Sequence, residues 1–154
     1  MNLWYAVKVK YIKKVEKNGQ EEYKKVNETF LLPAVSFTDA ESRITKEIGK
    51  SAEGEFFVHA MSVKDVTEII RNEEGGQWYN VKIEIQEEDE NGKVSKTKQN
   101  YMVESMSTKS ANKSLDERLS DAMFSYEVTT VSKTNIMDVF YEDLDVEISR
   151  EPAV

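Results

Sequence analysis

The sequence predicts an α+β protein made of two copies of a strand–strand–helix–strand–strand unit, mainly antiparallel sheet with two helices packed on it. Three observations carry this expectation. WYAVKV at 4–9 returns as WYNVKI at 78–83. EFFVHAMSVKDVTEII at 55–70 answers SYEVTTVSKTNIMDVF at 125–140, at an offset of 70 without a gap. Each copy also moves from a period of two to the three-and-four spacing of a helix. Two copies are too few for a solenoid, so they imply two similar units, with separate sheets or one shared sheet.

The first strand of each copy alternates. Tyr5, Val7, Val9 and Tyr11 lie opposite Trp4, Ala6, Lys8 and Lys10. In the second copy, Tyr79, Val81, Ile83 and Ile85 lie opposite Trp78, Asn80, Lys82 and Glu84. A period of two marks a half-buried antiparallel strand. Asn18-Gly19 and Asn91-Gly92 then favour tight hairpins, because both residue types tolerate positive φ. The returning runs are ETFLLP at 28–33 and QNYMVE at 99–104. Tyr23 and Val26 interrupt the alternation and predict a bulge or an irregular start.

Ser36 and Ser107 read as helix N-caps, whose hydroxyl oxygens can accept an orphan backbone N–H. Phe37, Ala40, Ile44 and Ile48 form one stripe, and Ala111, Leu115, Leu119 and Ala122 form its counterpart. These stripes should cover the sheets. Gly49 should end the first helix, and the second should run to about Met123. Third strands start near Phe56 and Tyr126. Short strands follow at 66–71 and 136–141, and Gly75-Gly76 reads as a hairpin turn into Trp78. Leu144, Val146 and Ile148 alternate in a way that suits an edge strand. The expectation is one compact domain over 1–154. It is built from pseudo-repeats at about 3–71 and 77–141, followed by an acidic C-terminal tail.

Composition narrows the chemistry. The 154 residues hold 21 Lys and Arg against 29 Asp and Glu, a net charge of -8, with no cysteine and one histidine. Without cysteine there is no disulfide framework, thiol nucleophile or cysteine-ligated metal. One histidine cannot build a multi-histidine metal centre. The opening MNLWYAVKVKYIKK lacks the layout of a signal peptide, and no apolar run is long enough to span a membrane. A cytoplasmic chain that makes no membrane contact is expected.

No local motif marks a catalytic, metal or cofactor site. The acidic cluster Glu84, Glu87, Glu88, Asp89 and Glu90 surrounds a hairpin turn and lacks a calcium-loop pattern, so it reads as a solvated surface. Asp138, Glu142, Asp143, Asp145 and Glu147 form a second acidic group with no catalytic spacing. His59 could titrate near neutrality, but no neighbouring partner is visible in the sequence, and its counterpart is Thr129. There is no phosphate-cradling, dinucleotide or serine-elbow motif. No cofactor is expected.

The WY-x-VK openings, LLPAVSFTDAESRI, EGGQWYNVKI and the ending NIMDVF resemble an uncharacterised family, a domain of unknown function of Bacteroidetes and their bacteriophages. The resemblance covers about residues 3–141. It implies an origin in those bacteria or their phages, and then a place in the host cytoplasm. It carries no activity, cofactor or catalytic residue.

Three functional classes follow. The first is a noncatalytic protein-binding or regulatory module, such as a phage accessory factor, whose partner is another protein or a second copy of the chain. The first expectation for Trp4 and Trp78 is packing within the chain, joining the duplicated halves. As an interface, the contact residues would be Trp4, Trp78, Glu87, Glu88, Asp89 and Glu90, because tryptophan is enriched in interface hot spots. The alternative is single-stranded nucleic-acid binding through Trp4, Lys8, Lys10, Lys13 and Lys14, with Tyr11 and Tyr23 nearby. Residues 1–30 carry seven lysines against four glutamates, a balance of +3, so the rest of the chain is at -11. Lysines beside stacking aromatics are what single-strand binders use. The third class, an enzyme acting on a nucleotide or signalling ligand, would need a cleft around His59 or the late aspartates.

Overall fold

The computed structural model describes residues 3–50 and 52–140. Strands β1 (Leu3–Lys17) and β2 (Gln20–Ala34) pair antiparallel along their whole length, from Leu3 opposite Ala34 to Lys17 opposite Gln20. Asn18 and Gly19 turn the chain at φ 53° and 77°, a pair of left-handed residues whose twist suits a two-residue hairpin. The bulge expected near Tyr23 and Val26 is absent, and the register runs unbroken. Tyr23 lies opposite Lys14 and Val26 opposite Tyr11, so the two side chains face opposite sides of the sheet and alternation holds.

Helix α1 (Phe37–Gly49) begins where Ser36 accepts a hydrogen bond from the Asp39 N–H at 3.1 Å. Asp39 in turn accepts from the Val35 N–H at 3.0 Å and from Arg43 Nε at 3.1 Å. This reciprocal cap satisfies backbone donors that the helix leaves open. Ala40, Ile44 and Ile48 are buried against Tyr5, Val7, Val9, Phe30 and Leu32. Each such isoleucine contributes about 1.5–3 kcal/mol through burial. Phe37 departs from the expected stripe: it is largely exposed and meets Tyr5 edge-on, with ring centroids 5.1 Å apart.

Strand β3 (Phe57–Lys64) pairs with the outer side of β1, and a short strand, β4 (Glu68–Ile70), follows. The second copy supplies β5 (Gln77–Glu88), β6 (Val94–Ser105), α2 (Thr108–Arg118), β7 (Ser125–Lys133) and β8 (Ile136–Val139). Ser107 caps α2 by accepting from the Ser110 N–H at 3.1 Å. Ala111 and Leu115 are buried on Tyr79, Val81, Ile83, Tyr101 and Val103. The helix stops at Arg118 rather than near Met123. Leu119 still packs on the core, but Met123 is fully exposed. Past Leu119 the expected stripe has only Ala122, a half-buried methyl, to add to the core.

Among the described residues the strands form two sheets, in the orders β3-β1-β2-β8 and β4-β6-β5-β7. The short strands decide this arrangement. β4 does not pair with β5; it runs parallel to β6, with Glu68 opposite Tyr101. β8 runs parallel to β2. Each copy therefore lends its last strand to the sheet of the other. A tight hairpin joins antiparallel neighbours only, so the expected Gly75-Gly76 hairpin is replaced by a link between strands that do not pair. The compact units accordingly divide at Lys64/Asp65 and Asn135/Ile136, whereas the sequence repeat divides near 71–77. Leu144, Val146 and Ile148 lie outside the described residues.

Both copies carry a bulge at the same place. In β3, Lys8 lies opposite Ala60 and Val9 opposite Val58, so His59 is the extra residue. In β7, Lys82 lies opposite Thr130 and Ile83 opposite Val128, so Thr129 is extra. The Thr129 hydroxyl donates to the Lys82 carbonyl at 3.2 Å.

Candidate functional site

Opposed residues of an antiparallel pair share a face. The core face of β1 carries Tyr5, Val7, Val9 and Tyr11. The other face carries Trp4, Ala6, Lys8, Lys10, Ile12 and Lys14, and across from them on β2 stand Pro33, Leu31, Thr29, Asn27, Lys25 and Tyr23. On the other side of β1, the bulge at His59 turns Phe57 onto this same face, opposite Lys10. The face has two regions. Near Trp4 it is closed, with Ala6, Leu31 and Pro33 buried. Toward the hairpin it is open, with Lys10, Lys14, Lys25 and Asn27 exposed. Phe57 is 64% exposed and Tyr23 65%. A shallow cavity of about 360 Å³ lies here, lined by Lys10, Ile12, Lys25, Asn27, Glu55 and Phe57 together with Tyr11 and Val26 of the core rows.

The duplication provides an internal control. By strand register, Lys10, Ile12, Lys14, Tyr23, Lys25, Asn27 and Phe57 correspond to Glu84, Gln86, Glu88, Val94, Lys96, Lys98 and Glu127. One copy places three lysines and two aromatics where the other places three glutamates and two lysines, a balance of +3 against -1 at these positions. The backbone need is the same in both, so fold maintenance does not account for the difference. The bias extends along the chain. Residues 1–64 hold eleven Lys and Arg against nine Asp and Glu, a balance of +2; residues 65–135 hold nine against fourteen, a balance of -5.

The lysines differ in their partners. Lys13, named from the sequence, lies on the core face, where its Nζ donates to Glu28 at 2.8 Å. Glu28 also accepts from the Tyr11 hydroxyl. Burial, and then the Glu28 carboxylate, push the Tyr11 phenol well above the ordinary tyrosine range. Lys13 and Tyr11 are therefore held together on the side away from the open face. Lys14 pairs with Glu21 at 3.0 Å on the surface, which holds its ammonium above the usual lysine range. Such an exposed pair is worth little and can yield to a phosphate. Lys8 is half-buried and Trp4 half-buried at the closed end.

The other named contact residues have different settings. Trp78 is 1% exposed, so it offers a partner no surface in this structure. Its carbonyl accepts from both the N–H and the hydroxyl of Thr134, at 2.9 and 2.8 Å, and the Arg71 guanidinium lies 5.6 Å from its ring centre. Asp89 organises its own turn, accepting from the Asn91 and Lys93 N–H groups at 2.9 and 2.8 Å. Glu87, Glu88 and Glu90 are exposed around it.

His59 is exposed on its bulge and shares a groove of about 580 Å³ with Glu41 and Thr45 of α1. Among the described residues no group of three His, Asp or Glu side chains could hold a metal ion. No helix among them is long and apolar enough to cross a membrane. Asp138 is half-buried, and its carboxylate accepts from the adjacent Val139 N–H at 2.8 Å. Glu142, Asp143, Asp145 and Glu147 lie outside the described residues.

Residues 3–142 match the family model for a domain of unknown function, DUF4494. The chain belongs to the DUF4494 family. Among curated proteins and solved structures, none matches it. DUF4494 membership therefore brings no ligand to this chain, and the face around Lys10 and Phe57 has to be read from its own chemistry. Phe57 is the residue that sequence reasoning missed. Its partner Lys10 is 47 positions away, and only the bulge at His59 turns it onto the lysine side.

Proposed function

We propose that this DUF4494 chain is a noncatalytic, cytoplasmic binding module whose ligand is single-stranded nucleic acid, held on the open face of its first unit. Lys10, Lys14 and Lys25 would meet the phosphates, and Phe57 and Tyr23 would stack on bases. This pairing of charge with aromatic platforms suits single strands, whose bases are free to stack. The observation that carries the reading is the exposed Phe57 and Tyr23 set among lysines, on a face whose sibling copy is acidic at the same positions. A setting in Bacteroidetes or their phages, which the family resemblance implies, would accommodate such a factor.

The reading as a protein-binding module has less support at its named contacts. Trp78 is buried and Asp89 is engaged in its turn. An acidic protein segment could still use the lysines, and the test separates the two ligands.

Fluorescence anisotropy with labelled DNA and RNA oligonucleotides of about fifteen residues supplies that test. Binding should weaken with added salt, by about 0.7 in log–log slope for each phosphate neutralised. Phe57→Ala should cost about 1–3 kcal/mol, the usual range for one stacked base. Lys10→Glu should weaken binding further, and Glu84→Gln at the sibling position should change it little. Absence of binding at low salt would remove the ligand class. Unchanged binding by Phe57→Ala and Lys10→Glu would remove this face as the site. Displacement of the oligonucleotide by an acidic peptide of matched charge, with no loss in Phe57→Ala, would reassign the face to an acidic protein.

A further inference from the structure

The outer strands of the two sheets are sibling sequences with different surfaces. β3 and β7 each lie at an edge, paired on one side only among the described residues. Edge strands expose unpaired backbone donors and acceptors, and natural proteins guard them with charge. β7 follows that rule, with Glu127 and Lys133 exposed near its two ends. At the matching positions β3 carries Phe57 and Val63, 64% and 47% exposed. β3 has no acidic residue, and its only lysine is Lys64 at the end. One copy of the same strand is guarded and the other is not.

We propose that the free edge of β3 pairs antiparallel with β3 of a second copy of the chain, about a two-fold axis through Ser62. The bulge at His59 sets this register. Beyond it, residues 60–64 alternate regularly along β1: Ala60, Ser62 and Lys64 share one face, and Met61 and Val63 share the other. An antiparallel pair needs opposed residues on a common face. A two-fold through Ser62 meets that need at every step. Ser62 faces Ser62 of the second copy, Met61 faces Val63, and Ala60 faces Lys64. Like charges never oppose one another. Serines opposed in this way can exchange a hydrogen bond, and Val63 gains an apolar neighbour. A two-fold interface requires this kind of self-complementarity. The inference turns on Ser62 and Val63, which the nucleic-acid reading does not use; the two readings share only Phe57, here as an unguarded edge residue.

Sedimentation velocity from about 1 to 300 μM tests it in the full chain. The wild-type protein should pass from monomer to dimer within that range, as expected for a small interface. Val63→Lys installs the residue that β7 carries at this position, so the fold has already accommodated it once. That variant should remain monomeric throughout, with its oligonucleotide affinity at 1 μM unchanged. The chain has no cysteine, which permits a second, orthogonal readout. Ser62→Cys should give a covalent dimer under mild oxidation, while Ser132→Cys, its sibling on β7, should give at least tenfold less. A wild-type chain that stays monomeric at 300 μM would overturn the proposal. So would a Val63→Lys chain that dimerises as the wild type does, or equal cross-linking at positions 62 and 132. Loss of oligonucleotide binding with dimerisation intact would instead strike only the nucleic-acid reading.

Discussion

Gly75 and Gly76 are neighbours, yet they should respond to alanine very differently. Gly75 has φ +79°, with no atom within 4 Å of an added Cβ. Gly76 has φ +134°, and its Cβ would fall 2.4 Å from the Ser105 carbonyl oxygen and 2.6 Å from its carbon. Both positions charge an L-residue about 1–2 kcal/mol for backbone conformation. Only Gly76 adds overlap with backbone atoms that cannot swing aside, at about 1–3 kcal/mol for a forced shift. Gly76→Ala should therefore lose roughly 2–5 kcal/mol, and Gly75→Ala about 1–2 kcal/mol. With a urea slope of about 1.5 kcal/mol/M, the midpoints should fall by about 1.3–3.3 M for Gly76→Ala and by about 0.7–1.3 M for Gly75→Ala. Urea unfolding followed by tryptophan fluorescence suits the test, since Trp78 is buried only two residues away. Midpoints for the two variants that agree within about 0.3 M would refute the reasoning, because the close approach to Ser105 would then cost nothing.

The remaining predictions concern the caps and alkaline pH. Ser36→Ala and Ser107→Ala should each destabilise by about 1 kcal/mol in urea melts, since each removes the acceptor for one helix-terminal N–H. Burial, together with the hydrogen bond to Asp116, pushes the Tyr126 phenol up to about 12. The folded state therefore keeps this proton longer than the unfolded chain, where tyrosine titrates near 10. Its contribution to stability is fully present below pH 10 and is lost as the pH rises toward 12. Tyr126→Phe should flatten that decline, and in the wild type a late tyrosinate absorbance step should disappear with the same substitution.

Much of the fold could be read from local pattern. Alternation in WYAVKV and WYNVKI placed the core rows correctly, and Ser36 and Ser107 cap the helices as their positions implied. The stripes Ala40–Ile44–Ile48 and Ala111–Leu115 are buried as expected. These features depend on residues within a few positions of one another, where steric preference and a single side-chain hydrogen bond decide the outcome. The candidate site was only partly legible. Lys8, Lys10 and Lys14 share the face of Trp4, as strict alternation requires. Lys13 falls on the other face for the same reason, and Glu28 holds it there.

What the sequence determined by itself was the element type, the duplication and the parity of each long strand. Tertiary structure alone decided where the short strands went. Glu68–Ile70 is only three residues long, and its backbone can bond to any open edge. Its place beside β6 goes with the Glu68 salt bridge to Arg118 at 2.6 Å, 50 positions away, and with Ile70 packing on the second core, neither of which a local pattern reveals. Tertiary structure likewise decided that Phe57 stands beside Lys10. That contact spans 47 residues and turns on one inserted residue, His59, which reverses the parity of the strand at a place no local period reveals.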